Sequence, residues 1–233
     1  MTAMRIRAIT FDLDDTLWPI APAMVRAEQR LDAWLRAHCP RSAAVWPIEA
    51  MRVLRDRVAE ENPQIAHDFG AQRRLSLRAA LLPHGYGEAH VDGAFAAFYA
   101  ERNRVDCYAD ALPALESLAT RFPLAAITNG NADLAAIGID AHFRFVLHAS
   151  AFGVAKPAAD IFHAACAKLA LPPAAVLHVG DAAEHDVIGA HRAGLRSVWL
   201  QRGSMSWHEA SGQSDIEPDL IVRDLAELVE ALA

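Results

Sequence analysis

Lysine is nearly missing from this chain: Lys156 and Lys168 are the only two among its 22 basic side chains. Any chemistry that needs a lysine therefore has two positions to choose from. Cysteine is scarce too. Cys39, Cys107 and Cys166 are odd in number, lack CxxC spacing and sit in helix-like sequence, which argues for reduced packing thiols and against disulfides or a zinc site. No run approaches the roughly 20 apolar residues of a membrane span, and no small-residue cleavage site follows the first apolar run. The expectation is a cytoplasmic protein with no membrane partner. Asn-x-Ser/Thr acceptors, low-complexity tracts and internal repeats are all absent. The net charge of -7, from 29 acidic and 22 basic side chains scattered along the chain, argues against nucleic acid, which would need a clustered basic face.

What is present suits an ordinary globular chain: 233 residues, 53% hydrophobic and 22% charged, enough for one large domain carrying a smaller one. Its organising stretch is Phe11-Asp12-Leu13-Asp14-Asp15-Thr16-Leu17. The stretch follows Ile6 to Phe11, an apolar run that reads as a buried parallel strand, so three carboxylates and a hydroxyl arrive at a strand's carboxyl end. Crowded carboxylates repel one another and resist desolvation, and a hard metal ion and a lysine are the candidates to compensate them.

Residues 18 to 105 predict four helices and no strand. The first carries Met24, Ala27, Leu31, Trp34, Leu35 and His38 and closes at Cys39-Pro40; the second carries Met51, Leu54 and Val58 and stops at Asn62-Pro63. The third, about Phe69 to Leu82, is read with Leu75, Ala79 and Leu82 on its apolar side, and the fourth carries Val91, Ala94, Phe95, Phe98 and Tyr99. Together they suggest a helical bundle inserted as a cap domain (18–105) into a core made of 1–17 and 106–233.

From about 106, helix and strand alternate. Strands are expected at Leu124 to Thr128, Phe145 to Ala149, Val176 to Val179 and Ser197 to Leu200, with an edge strand at Leu220 to Val222 after a loop from Gln201 to Pro218. That alternation predicts an α/β fold, a doubly wound, Rossmann-like parallel sheet whose ligands collect at the strands' carboxyl ends.

Each strand of this half ends on a polar group. Thr128-Asn129-Gly130 could cradle a phosphoryl oxygen, Lys156-Pro157 follows the next strand, and Gly180-Asp181 precedes a further carboxylate at Asp186. These types support phosphoryl transfer to a carboxylate, which is mostly positioning and electrostatic stabilisation. Asp12 is placed as nucleophile and Asp14 as the acid that protonates the leaving alkoxide and later activates water. Magnesium would take Asp12, the Asp14 backbone carbonyl and Asp181.

Asp-x-Asp-x-Thr, the strand-ending Thr, Lys-Pro and Gly-Asp-x-x-x-x-Asp occur here in the order and spacing of the haloacid dehalogenase-like hydrolase superfamily, which the whole chain resembles. The resemblance implies that Asp12 is the nucleophile and Asp14 the general acid/base. It also implies that Thr128 and Lys156 hold the phosphoryl group, that Asp181 binds Mg2+, and that Asp186 is a supporting carboxylate. Finer matches, among them Phe-Asp-Leu-Asp-Asp-Thr-Leu-Trp and Leu-His-Val-Gly-Asp, are similar to a proteobacterial subgroup of phosphatases. Those act on FMN and on 5-amino-6-(5-phosphoribitylamino)uracil, in riboflavin metabolism. Two departures stand out: Asp15 replaces the commoner Gly, and His185 the Asn that often precedes the last Asp. The dehalogenases proper lack the second aspartate, so Asp14 argues against carbon–halogen cleavage.

The expected function is magnesium-dependent hydrolysis of a small phosphomonoester by a monomer or homodimer. The alternatives are a phosphomutase on the same core and a phospho-aspartate signalling module, which Asp14 disfavours by placing an acid/base beside the nucleophile. Arg73, Arg74 and Arg78 suit either a substrate's polar groups or a solvated face, and Trp18 either stacking on a planar substrate or packing. His178, inside an apolar strand, reads as a satisfied core residue, and the eleven dispersed histidines make no metal site.

Overall fold

The computed structural model describes residues 6–233, so the first five residues of the expected core segment lie outside the described residues. The chain forms two compact units: one of 106–130 and 138–233 with the residues up to Pro19, the other of Ile20–Val105 with Asn131–Ile137.

The first unit is a six-stranded, all-parallel sheet: β1 (Ala8–Phe11), β2 (Leu124–Thr128), β3 (Val146–His148), β4 (Val176–Gly180), β5 (Arg196–Leu200) and β6 (Leu220–Val222), in the order β3-β2-β1-β4-β5-β6. β1, β2 and β4 are buried along their whole length, which is why they read as largely apolar runs without alternation, with Thr10 and His178 as buried polar members. β1 begins two residues later than its apolar run suggests, at Ala8. It lies between β2 and β4, with Phe11 opposite Ala126 on one side and Val179 on the other. The carboxyl ends of these three strands therefore lie together, and the chain order reverses on either side of β1, where such sheets hold their ligands. The stretch 201–218 is not all loop: Trp207–Ala210 makes one helical turn, capped reciprocally by Ser206 and Glu209.

The second unit packs four long helices, α1 (Ile20–His38), α2 (Ile48–Glu61), α3 (Phe69–Leu81) and α4 (Glu88–Arg102), and holds two single helical turns at Pro40–Ala43 and Leu134–Ile137. Their apolar stripes meet in one cluster that includes Leu31, Leu35, Met51, Leu54, Leu77, Leu81, Val91 and Phe98. Asp68 caps α3, accepting the Ala71 N–H at 2.8 Å. The inward face of α3 corrects the sequence reading. Leu77, Ala80 and Leu81 point to the core with Arg73 and Ser76, while Leu82 is exposed and Leu75 is only partly buried. Buried hydroxyls along that face are satisfied inside: Ser76 Oγ donates to the Arg73 carbonyl at 2.8 Å, and Ser42, from the turn after α1, donates its Oγ–H to the Ala80 carbonyl at 2.7 Å.

Candidate active site

The aspartate loop leaves β1 through a tight reversal. Leu17 N–H donates to the Leu13 carbonyl at 2.8 Å and Asp15 N–H to the Trp18 carbonyl at 2.7 Å, so the chain doubles back on itself. The turn needs Asp15 at φ 61°, in the left-handed region; aspartate stands this better than most side chains, which explains how it replaces a glycine here. Arg202 braces the loop, donating to the Thr16 carbonyl at 2.9 Å while paired with Asp110 at 2.9 Å. Sequence reasoning missed Arg202 because its partners are 92 and 186 positions away.

Lys156 stands at the centre. Its Nζ is buried and donates to Asp12 Oδ1 and to Asp186 Oδ1, each at 2.6 Å. The backbone that carries it is clamped to the end of β2: Lys156 N–H donates to Asn129 Oδ1 at 2.8 Å, and Asn129 Nδ2 donates to the Lys156 carbonyl at 3.0 Å. Asn129 thus spends its side chain on Lys156. The Gly130 N–H is also engaged, donating to Thr128 Oγ1 at 2.9 Å, which orients the buried Thr128 hydroxyl with its own proton available to an acceptor. Pro157 is joined to Lys156 by a cis bond, and the next helix starts at Ala159, so the proline precedes that helix rather than opening it.

Asp186 arrives on a one-turn π-helix, Ala183–Ile188, where sequence reading expects an ordinary α-helix. Both its oxygens are occupied. Oδ1 takes Lys156 and the His178 Nε2–H at 3.2 Å, and Oδ2 takes the Ala182 N–H at 3.0 Å. His178 is fully buried and its Nδ1 accepts from Thr10 Oγ1 at 2.9 Å. It is a satisfied core residue that also holds Asp186, a role with no sequence signal beyond a polar residue in an apolar strand. Asp181 accepts from Thr16 Oγ1 at 2.9 Å, and its carbonyl accepts the Trp199 indole N–H at 2.8 Å.

One ammonium against three carboxylates leaves the site electron-rich, and the titration behaviour follows. Burial, reinforced by Asp186, pushes Asp181 up to about 7. Burial also pushes Asp12 well above the usual carboxylate range, against the pull of Lys156. Burial works on Asp186 in the same direction, but Lys156 and the His178 hydrogen bond outweigh it and hold the carboxylate below its ordinary value. Burial would depress Lys156; its two carboxylate partners reverse this and raise it. Burial lowers His178, keeping the imidazole neutral.

Carboxylate oxygens of Asp12, Asp181 and Asp186 all lie within 4.8 Å of one another. A donor set of only oxygens, with three carboxylates against one ammonium, fits a hard divalent cation. With both Asp186 oxygens taken, Asp12 and Asp181 are the side chains best placed to hold it.

The remaining expected site residues are engaged by other side chains of the protein. Arg73 is neither solvated nor directed at a ligand: it is buried in the helical unit, paired with Glu28 at 2.7 Å and lying 3.9 Å over the Phe98 ring. Arg74, partly exposed, pairs with Asp92 and lies 4.0 Å over the Phe95 ring. Trp18 is fully buried, so its ring cannot stack on a substrate; its indole N–H donates to Asp14 Oδ1 at 2.8 Å.

Known proteins share this arrangement of sequence and fold. The chain is 37% identical over 201 residues, 84% of each chain, to the 5-amino-6-(5-phospho-D-ribitylamino)uracil phosphatase YigB of Escherichia coli K12. It is 30% identical to the glyceraldehyde 3-phosphate phosphatase of Methanopyrus kandleri, over 98% of this chain and 99% of that one. The crystal structure of a 2-haloacid dehalogenase from Pseudomonas syringae pv. Tomato DC3000 superposes with a TM-score of 0.90 at 37% identity, covering 97% of this chain and 98% of that one. The haloacid dehalogenase-like hydrolase family matches residues 6–194, every strand of the sheet from β1 to β4 and the helices between them. The chain, a parallel α/β core with a helical cap, belongs to the haloacid dehalogenase-like hydrolases.

Proposed function

We propose that this hydrolase cleaves a small phosphomonoester, with Asp12 as nucleophile and Asp14 as acid and base. The observation that carries the reading is Lys156 bridging Asp12 and Asp186 at 2.6 Å each, at the carboxyl ends of β1, β2 and β4. Lys156 restrains the Asp12 carboxylate and offers positive charge where a phosphoryl group would gather its negative oxygens. The Thr128 hydroxyl donates to one of those oxygens. Asp12 attacks phosphorus, the ester P–O bond breaks, and Asp14 gives its proton to the departing alkoxide. The Asp14 carboxylate then takes a proton from water, which attacks the aspartyl-phosphate and frees Asp12. Magnesium, held by Asp12, the Asp14 carbonyl and Asp181, would supply charge neutralisation at the phosphoryl oxygens.

The relative from Escherichia coli favours a ribityl phosphate ester as substrate, and the matching motifs extend this to FMN. The domain division belongs to the same reading: residues 18–105 act as the cap and 1–17 with 106–233 as the catalytic core. No helix among the described residues is long and apolar enough to cross a membrane; action in the cytoplasm on a diffusible substrate is part of the proposal. Carbon–halogen cleavage, the activity named for the Pseudomonas neighbour, is disfavoured by chemistry. A halide departs without a proton, so the acid role given to Asp14 would go unused.

The test is phosphate release by the purified protein with magnesium against FMN, 5-amino-6-(5-phosphoribitylamino)uracil, other nucleotides and sugar phosphates. Release without an activating bisphosphate, lost in Asp12→Asn, supports the hydrolase; dependence on a bisphosphate supports a mutase. Activity unchanged in Asp12→Asn overturns the assignment.

A further inference from the structure

We infer that Trp18 is a positioning residue for Asp14, and that its indole N–H fixes the carboxylate in the pose from which a proton reaches the leaving group. The inference deepens the proposed reaction and rests on it. Because the Asp15 N–H bonds to the Trp18 carbonyl and the Leu17 N–H to the Leu13 carbonyl, residue 18 returns beside residue 14, and the two backbones form a short parallel bridge. The Tyr108 N–H, donating to the Leu17 carbonyl at 2.9 Å, pins the returning strand from the other side.

The indole has no freedom in that setting. Trp18 is fully buried, so the ring cannot turn, and its one polar atom meets Asp14 Oδ1 at 2.8 Å. A buried indole N–H needs an acceptor, and a backbone carbonyl is the usual one. Here the acceptor is the carboxylate to which the reaction assigns proton transfer. A hydrogen bond from a rigid donor to a carboxylate holds its torsion, and proton transfer over hydrogen-bond distance is sensitive to such aim. Lysine and arginine donors would do this too, but would add charge beside a group that must both give and take a proton. A neutral donor adds none.

In the step concerned, the P–O(ester) bond breaks, the P–O(Asp12) bond forms, and the Asp14 proton passes to the leaving oxygen. Need for that proton depends on the leaving group: an alkoxide requires it, p-nitrophenolate hardly does. Trp18→Phe keeps the buried ring and removes the N–H. It should lower kcat/KM for an alkyl phosphomonoester by about tenfold or more while leaving that for p-nitrophenyl phosphate within about twofold. In an Asp14→Asn background Trp18→Phe should have no further effect, since residues acting through one another are not additive. Equal loss for both esters, independent effects of the two substitutions, or no loss at all would overturn the inference. If Trp18→Phe does not fold, benzothienylalanine at position 18, with sulfur in place of N–H in the same bicyclic shape, carries the same expectations. Full activity of Asp12→Asn would instead remove the underlying reaction, an outcome the leaving-group comparison alone cannot produce.

Discussion

Gly180 and Asp186 share a space that holds one side chain only: a Cβ at Gly180 would lie 2.3 Å from the Asp186 carboxyl carbon. The last residue of β4 must therefore be glycine for the π-helix to lay Asp186 against Lys156 and His178. Gly180→Ala should push Asp186 away and loosen Lys156. We expect kcat to fall at least about tenfold and stability by about 1–3 kcal/mol, measured by turnover and by denaturant melts. Unchanged turnover would mean that Asp186 does not need its present place.

Lys156→Met removes one charge from between two buried carboxylates. The uncompensated pair should cost about 3–5 kcal/mol in metal-free protein, and adding Asp186→Asn should recover part of that loss. Denaturant melts of the two single variants and the double variant test the coupling; additive effects would show that the bridge is energetically idle.

Asp181 sets a pH dependence whose sign runs against the usual carboxylate. Its pKa is raised from 3.8 to about 7, so the folded chain holds the proton more tightly than the unfolded one. Its contribution to stability is present below about pH 4 and is lost as pH rises towards 7, amounting to a few kcal/mol on the order of 1.4 per unit. Without divalent cations, Asp181→Asn should melt higher than the parent at pH 8, with the gap closing towards pH 4. Parallel thermal melts in chelator check this, and a constant gap would refute it.

The three thiols should differ in reactivity. Cys39 and Cys166 are buried and Cys107 is half-buried. Burial raises all three, Cys166 to about 11, so little thiolate exists at pH 8. Iodoacetamide on the native protein should label Cys107 first, and mass spectrometry should find the other two only after unfolding.

Much of this molecule is legible in its sequence because a buried parallel strand leaves a plain trace. Leu124 to Ile127 is an apolar run that stops at Thr128, Val176 to Val179 is interrupted only by His178, and the strands lie where those runs lie. Helix stops at Pro40 and Pro63 are equally local. What escaped is what depends on a partner far along the chain. Arg73 reads as a substrate contact or a solvated charge, yet Glu28 and Phe98 make it a core residue on a face of α3 that the apolar pattern does not mark. Trp18 reads either as packing or as a platform for a flat ligand; it is buried, and only the folded loop brings its ring edge to Asp14. The π-helix at 183–188 has no pattern of its own, because one extra residue per turn is imposed by where Asp186 must reach.

The central position of β1 also bears on how the protein is made. Thr10 and His178, bonded across adjacent strands, are 168 positions apart. A ribosome adding about 5–20 residues per second needs on the order of 10–30 seconds to span that gap. For that interval the strand destined for the middle of the sheet has no β4 to pair with, and its unpaired edge is open to other chains. Chaperone dependence and losses to aggregation should therefore concentrate in the period before β4 leaves the ribosome, and no nascent fragment ending short of Asp186 can yet turn over substrate.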